Sequence, residues 1–269
     1  MTDSIAEIST HAPTIDKNEY ISRALDLMDK HKTRRLLVLR EGEVYGVLTL
    51  RGIMRTLGRR RTSIISPSSL HVTSAVTDNY IINSGGMSVE EAKKHLSAGK
   101  EVIIHKEGDD WKWVEPKNLL EYYNVRKIEG SANEVMIESY PVHPKDRLIH
   151  ARRLMIERDV GRLPVLDEGE LVGIITEYDV ANAMRAFREL VPTNYQENRI
   201  RMILVEDVMS KNVIYFELST PLEEVVKTLL ERDIGGAPVL NAIGDVVGML
   251  NRRTILRRLV DDRERYKLS

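Results

Sequence analysis

The chain has 269 residues, 42% of them hydrophobic and 30% charged, which suits one large or two medium cores and is too apolar for a disordered chain. Its 41 acidic and 40 basic residues leave a net charge of -1, so no global field draws it to nucleic acid or an anionic membrane. There is no cysteine, which excludes disulfides and thiolate chemistry, and the apolar runs fall far short of the roughly 20 residues that cross a bilayer.

The first residues, MTDSIAEISTHAPTIDKNEY, put acidic side chains where a secretory signal needs a basic and then an apolar segment, and the expectation is a cytoplasmic protein. From Ala24, ALDLMDKHKTRRLLVLREGEVYGVLTLRGIM reads as helix, apolar strand, tight turn with Gly, strand and second helix. A basic run follows, RTLGRRRTS from Arg55, of the kind that ends a solvated helix or contacts an acidic partner. From Glu90 the same order of elements returns in EEAKKHLSAGKEVIIHKEGDDWKWVEPKNLLEYY. The connection there is shorter, the glycine before the last strand is missing, and Trp111 and Trp113 alternate onto one side of a strand.

After a polar linker, VRKIEGSANEV, the stretch SYPVHP at 139–144 reads as a short lead-in strand. From Ala151, ARRLMIERDVGRLPVLDEGELVGIITEYDV then repeats the first series without a gap. Ala24 and Ala151, Arg35 and Arg162, Gly46 and Gly173, and Thr49 and Thr176 all stand 127 apart. An insertion, VPTNYQENRI from Val191, precedes a copy from Val225, which follows the previous one at an offset of 74 through Gly236 and has one inserted residue before Gly248.

The predicted fold is therefore α/β (α+β), four β-α-β-β-α units at 1–67, 68–127, 128–198 and 199–269, the second one degenerate. A unit of this size buries too little apolar surface to be comfortably stable alone, so units are expected to pair, residues 1–127 and 128–269 forming two tandem pairs.

The stretch LVGIITEYDV places Thr176 and Asp179 where a strand ends and a helix begins, a junction that favours phosphate and ribose. An aspartate there is also an ordinary N-cap, worth about 1 kcal/mol. The other copies vary these positions: Thr49 with Gly52, Glu115 with Asn118, and Asn251 with Thr254. The seven histidines show no ligand spacing, no Walker-type loop is present, and no nucleophile or acid-base pair announces itself. No catalytic residue, metal site or cofactor is expected.

These repeats, above all GRLPVLDEGELVGIITEYDV and GGAPVLNAIGDVVGMLNRRTIL, resemble cystathionine-beta-synthase (CBS) domains, four of them in two Bateman modules, as in the gamma subunit of AMP-activated protein kinase. The resemblance implies a nucleotide sensor, with AMP, ADP or ATP as ligand in a cleft between paired units and an unidentified protein partner under its control. In such domains Asp179 would accept both ribose hydroxyls and Thr176 would bond the phosphate. Arg162, and in the first unit Arg35 beside Thr49, would also reach phosphate, as guanidinium forks suit its oxygens. The base would lie against Ser139, Tyr140, Pro141 and Val142, with Gly161, Leu163 and Pro164 on its other side. The resemblance further implies a disc of CBS units, within the chain or in a homodimer. Two alternatives stand beside it: a sensor of S-adenosylmethionine-type ligands, and a nucleic-acid-associated scaffold using Arg59, Arg60, Arg61, Arg257 and Arg258.

Overall fold

The computed structural model describes residues 3–59, 65–124, 128–192, 195–196 and 199–266, with side chains as far as Val260. Each repeat opens on a single 3-10 turn, at Ile5–Glu7, Val72–Ser74, Ala132–Glu134 and Val205–Asp207.

In the first repeat β1 (Thr10–His11) and β2 (Thr14–Asp16) precede α1 (Ile21–Lys30). Ile21, Ala24, Leu25 and Met28 form the buried stripe of α1 at the i, i+3, i+4, i+7 spacing of an amphipathic helix. The hairpin of β3 (Arg35–Arg40) and β4 (Glu43–Thr49) turns through Glu41 and Gly42, both at positive φ, 54° and 84°, which matches the twist of the flanking strands. It leads into α2 (Leu50–Leu57).

The second repeat holds β5 (Val76–Thr77), β6 (Ile81–Ile82), α3 (Val89–Ser97), β7 (Ile103–Glu107), β8 (Asp110–Val114) and α4 (Pro116–Asn124). The third holds α5 (Leu148–Glu157), β9 (Arg162–Asp167), β10 (Glu170–Thr176) and α6 (Glu177–Leu190), and the fourth β11 (Phe216–Glu217), α7 (Leu222–Glu231), β12 (Gly236–Leu240), β13 (Val246–Asn251) and α8 (Arg252–Tyr266).

Every hairpin is bordered in the same way. A lead-in segment runs parallel to its first strand: β2 on β3, β6 on β7, Val142 on Val165, and β11 on β12. A segment from another repeat runs antiparallel to its second strand: β5 on β4, β1 on β8, Ser210 on Ile174, and Ile137 on Met249. The repeated glycine follows from this border. A Cβ on Gly173 would lie 2.5 Å from Met209 Sδ, and one on Gly248 would lie 3.0 Å from the Ile137 carbonyl oxygen. At Gly46, Gly173 and Gly248 the strand also carries a bulge, with a register shift against its partner. The second repeat, which has no glycine at this place, pairs β7 with β8 without a shift.

The chain divides into two compact units, each combining alternate repeats. One comprises residues 13–78 and 140–213, where α2 packs on α6; Leu50, Ile53, Met54, Val180, Ala181 and Met184 belong to its core. The other comprises residues 1–12, 79–139 and 214–269, where α3 and α4 pack on α8, with Leu96, Leu119, Leu120, Ile255 and Leu256 in its core. Helix packing groups alternate repeats, because the helices that follow the hairpins bury their apolar faces on one another. The sheet-edge pairings β5 on β4, β1 on β8, Ser210 on Ile174 and Ile137 on Met249 join consecutive repeats, as tandem pairs require. Trp111 and Trp113 are both buried on one face of β8, as their alternation requires.

No helix among the described residues is long and apolar enough to cross a membrane. The described residues also contain no cluster of three acidic or histidine side chains that could hold a metal ion.

Candidate functional site

Arg162 opens β9, Thr176 closes β10, and the two are direct partners across the antiparallel ladder. Opposite residues of such a ladder stand on one face with Cβ atoms about 5 Å apart, so the hairpin itself starts the two side chains from neighbouring positions on one face. Thr176 is at the same time the N-cap of α6, with extended φ and ψ of -121° and 166°. Its backbone N–H and its hydroxyl both donate to Asp179 Oδ2, at 2.8 and 2.7 Å, and its hydroxyl oxygen accepts the Asp179 N–H at 3.4 Å. This is a reciprocal capping box, and Oδ1 takes no hydrogen bond among the described residues. Both residues are half-buried.

The remaining expected residues divide by their place in the sheet. Gly161 lies at the mouth of β9, where its carbonyl oxygen accepts the Glu177 N–H at 3.0 Å and so ties the strand to the helix start. Pro164, two residues from Arg162, shares its side of the strand. Leu163 points the other way and is wholly buried in the core, leaving it no surface for a ligand. Val142 is also buried, and strand pairing consumes its backbone: its N–H donates to Pro164 O and its carbonyl accepts from Leu166 N–H. The Arg158 guanidinium lies 5.0 Å from the centre of the Tyr140 ring. Ser139 falls in the other compact unit, where its Oγ is buried without a hydrogen-bond partner among the described residues.

The other repeats keep the corner and change its chemistry. In the first, Arg35 and Thr49 are again direct partners, and Thr49 Oγ1 accepts the Gly52 N–H at 3.0 Å. A Cβ on Gly52 would lie 2.0 Å from the Ala75 carbonyl oxygen, so no carboxylate fits there. In the second, buried Asn118 accepts the Glu115 N–H. In the fourth, Asn251 accepts the N–H groups of Arg253 and Thr254. Only the third repeat offers a carboxylate at this position.

Three charged residues at the site were not singled out by sequence reasoning. The Arg51 side chain, from α2, donates through Nε to Glu177 Oε1 and through Nη1 to Asp159 Oδ1. Charge alternation beside Thr49 and Thr176 was the available signal, but sequence separation hid the pairing. Tyr178, next to Glu177, has its hydroxyl held above the ordinary range by burial first and then by its hydrogen bond to Asp29.

Two of the arginines offered for nucleic acid have other employment. Arg257 Nε donates to the Ser97 carbonyl at 3.1 Å and Arg258 donates to Glu134. Arg60 and Arg61 lie outside the described residues.

Residues 5–59, 132–186 and 205–261 match the CBS domain, and the chain belongs to the CBS-domain family. The stretch between the first two matches contains the repeat without the bulge glycine. The chain is 25% identical over 268 residues to the uncharacterized protein MJ1225 of Methanocaldococcus jannaschii, covering 91% of this chain and 94% of that one. The MJ1225 crystal structure, presented as a candidate archaeal homologue of g-AMPK, matches with a TM-score of 0.80 at 21% identity over 95% of this chain and 99% of that chain. Two CBS-pair structures match half of the chain at a TM-score of 0.42. One is Arabidopsis thaliana CBSX2 in complex with AMP, 27% identical over 49% of this chain and 98% of that chain. The other is the CBS pair of protein MJ0100 with 5'-methylthioadenosine and S-adenosyl-L-methionine, 24% identical over 50% of this chain and 99% of that chain.

Proposed function

We propose that this protein is a regulatory sensing module, without catalytic activity of its own, that binds an adenine nucleotide at the start of α6 and passes its bound state to a protein partner. The observation that carries this reading is the direct pairing of Arg162 with Thr176, three residues before the carboxylate of Asp179. AMP is the expected ligand, with ADP and ATP as competitors.

The chemistry follows from donors and acceptors. A cis-diol presents two O–H donors, which one carboxylate accepts together, whereas a phosphate accepts and needs donors. In the structure the Thr176 hydroxyl spends its one proton on Asp179. Ribose hydroxyls that take over the carboxylate release this proton for a phosphate oxygen, next to the Arg162 fork and the N-terminus of α6. Ribose and phosphate binding are thereby linked through one exchanged hydrogen bond. An S-adenosylmethionine-type ligand would use Asp179 but carries a sulfonium where the nucleotide has its 5'-phosphate, so it brings no phosphate to Thr176 and Arg162, and this favours the nucleotide.

The repeats at 1–67, 68–127, 128–198 and 199–269 would act as sensing units in a CBS disc, formed within one chain or by a homodimer. A ligand that binds one packing of these units better than another shifts the surface presented to the partner by its difference in affinity.

Isothermal titration of the full chain with AMP, ADP and ATP tests the reading. A saturable signal with at least one nucleotide, lost in Asp179→Ala, is expected; no heat with any of the three overturns it.

A further inference from the structure

We infer that Arg51, contributed by the first repeat, is a positioning residue for the anionic end of the third-repeat site: it neutralises Glu177 and Asp159 there and so allows a phosphate to settle beside Thr176 and Arg162. The inference rests on the nucleotide reading given above.

Glu177 is the first residue of α6, between Thr176 and Asp179 in the chain, and its N–H is bonded to Gly161, the residue before Arg162. A carboxylate in this place opposes any anion that approaches the helix N-terminus. Its side chain is 18% exposed and that of Arg51 is 21% exposed, so solvent screens the pair only in part. The same guanidinium also takes up Asp159, which stands in a left-handed turn with φ of 54°. Its Nη2 lies 3.8 Å from where a Cβ on Gly161 would stand. The guanidinium therefore sits at the mouth of the strand that carries Arg162, with two carboxylates on its other nitrogens.

The second compact unit shows that this arrangement is particular to the third repeat. There Lys117, the second residue of its helix as Arg51 is of α2, donates to Asp233, whose place in the fourth repeat is that of Asp159 in the third. Where the third repeat has Glu177, the fourth has Arg252, which also donates to Asp233, so no carboxylate follows the N-cap there. The repeat with the ribose-type carboxylate is thus the one with an acidic residue to neutralise.

The test compares AMP with adenosine on the full chain by isothermal titration, with thermal melting as the check of folding. In the parent, AMP is expected to bind more tightly than adenosine. In Arg51→Met, AMP affinity should fall by about tenfold or more while adenosine affinity changes by less than about twofold, and Arg51→Lys should recover most of the difference. Glu177→Gln, which removes the opposing charge and serves if Arg51→Met does not fold, should hold or raise AMP affinity. An unchanged AMP-to-adenosine ratio in Arg51→Met, or weaker AMP binding in Glu177→Gln, overturns the role of Arg51 and leaves the nucleotide reading intact. A parent that binds neither compound overturns both.

Discussion

Arg162 and Thr176 are opposite partners on β9 and β10, and Arg35 and Thr49 form the same pair on β3 and β4. The cation-hydroxyl pair is a property of the hairpin register, present in two repeats. What separates them is the third position of the following helix, Asp179 in one and Gly52 in the other.

Asp179 caps α6 in the structure and is the proposed acceptor of the ribose, and two substitutions should divide the cap from the proposed role. Asp179→Ala removes the acceptor of the capping box and should cost about 1 kcal/mol in urea unfolding, together with nucleotide affinity. Asp179→Asn keeps an oxygen for the Thr176 N–H, as Asn118 does for Glu115 in the second repeat. It should retain most of the stability yet weaken AMP by about tenfold, because the ribose loses a charged acceptor. Equal AMP affinity in Asp179→Asn and the parent would count against the ribose role.

Copying the aspartate into the first repeat should fail as a gain of function. At Gly52 any Cβ meets the Ala75 carbonyl at 2.0 Å, and this obstacle is backbone. Gly52→Asp is expected to lower stability by about 1–3 kcal/mol, the usual range for overpacking, and to add no nucleotide site. Unfolding curves and titration stoichiometry measure both consequences.

The sequence announced the repeats because their structural demands fall on few residues. Gly46, Gly173 and Gly248 recur where a neighbouring segment crosses a bulge, and the positive-φ turns at Gly42 and Gly169 recur with them. The inserted residue before Gly248 becomes the longer turn in which Asn241 Oδ1 accepts the N–H groups of Ile243 and Asp245. Asp179 as a cap was equally legible, since a capping box is local. The packing of alternate repeats was not, because an amphipathic stripe on α2 or α6 states that a partner exists without saying which. The withdrawal of Leu163 and Val142 into the core depends on burial, which the alternation of a strand covered on both faces does not reveal.

The arginines near the C-terminus should behave as structural groups. Arg258 donates through Nε and Nη2 to Glu134 Oε2, at 3.2 and 3.0 Å, and Glu134 Oε1 accepts the Ser131 N–H. Arg258 first, and then the Ser131 N–H, holds the Glu134 carboxyl below its usual range. Arg258→Ala is expected to lower stability by about 0.5–1 kcal/mol, a modest figure because Glu134 is partly exposed. RNA and DNA gel retention of this variant should equal the parent's; retention by the parent that Arg258→Ala abolishes would favour the scaffold reading.

His105 gives the second repeat a pH dependence near neutrality. Three repeats place a valine opposite the bulge glycine: Val38 with Gly46, Val165 with Gly173 and Val239 with Gly248. The second places His105 opposite Lys112. The imidazole is buried, and its Nε2 has no hydrogen-bond partner among the described residues. Burial, the largest cause, lowers its pKa from 6.5; Glu107 acts to raise it and Lys112 to lower it further. The unfolded chain therefore binds this proton more readily than the folded one, and stability is full above pH 6.5 and declines as pH falls below it. Asp233 and Glu134 have depressed carboxyl pKa values, so their contributions are lost only as pH drops through the carboxylate range, below this window. His105→Val should remove the decline between about pH 7 and pH 5.5, which an unfolded pKa of 6.5 limits to about 1.3 kcal/mol over this window. Urea unfolding of parent and variant at both pH values measures it, and parallel losses in the two proteins would show that His105 is not the titrating group.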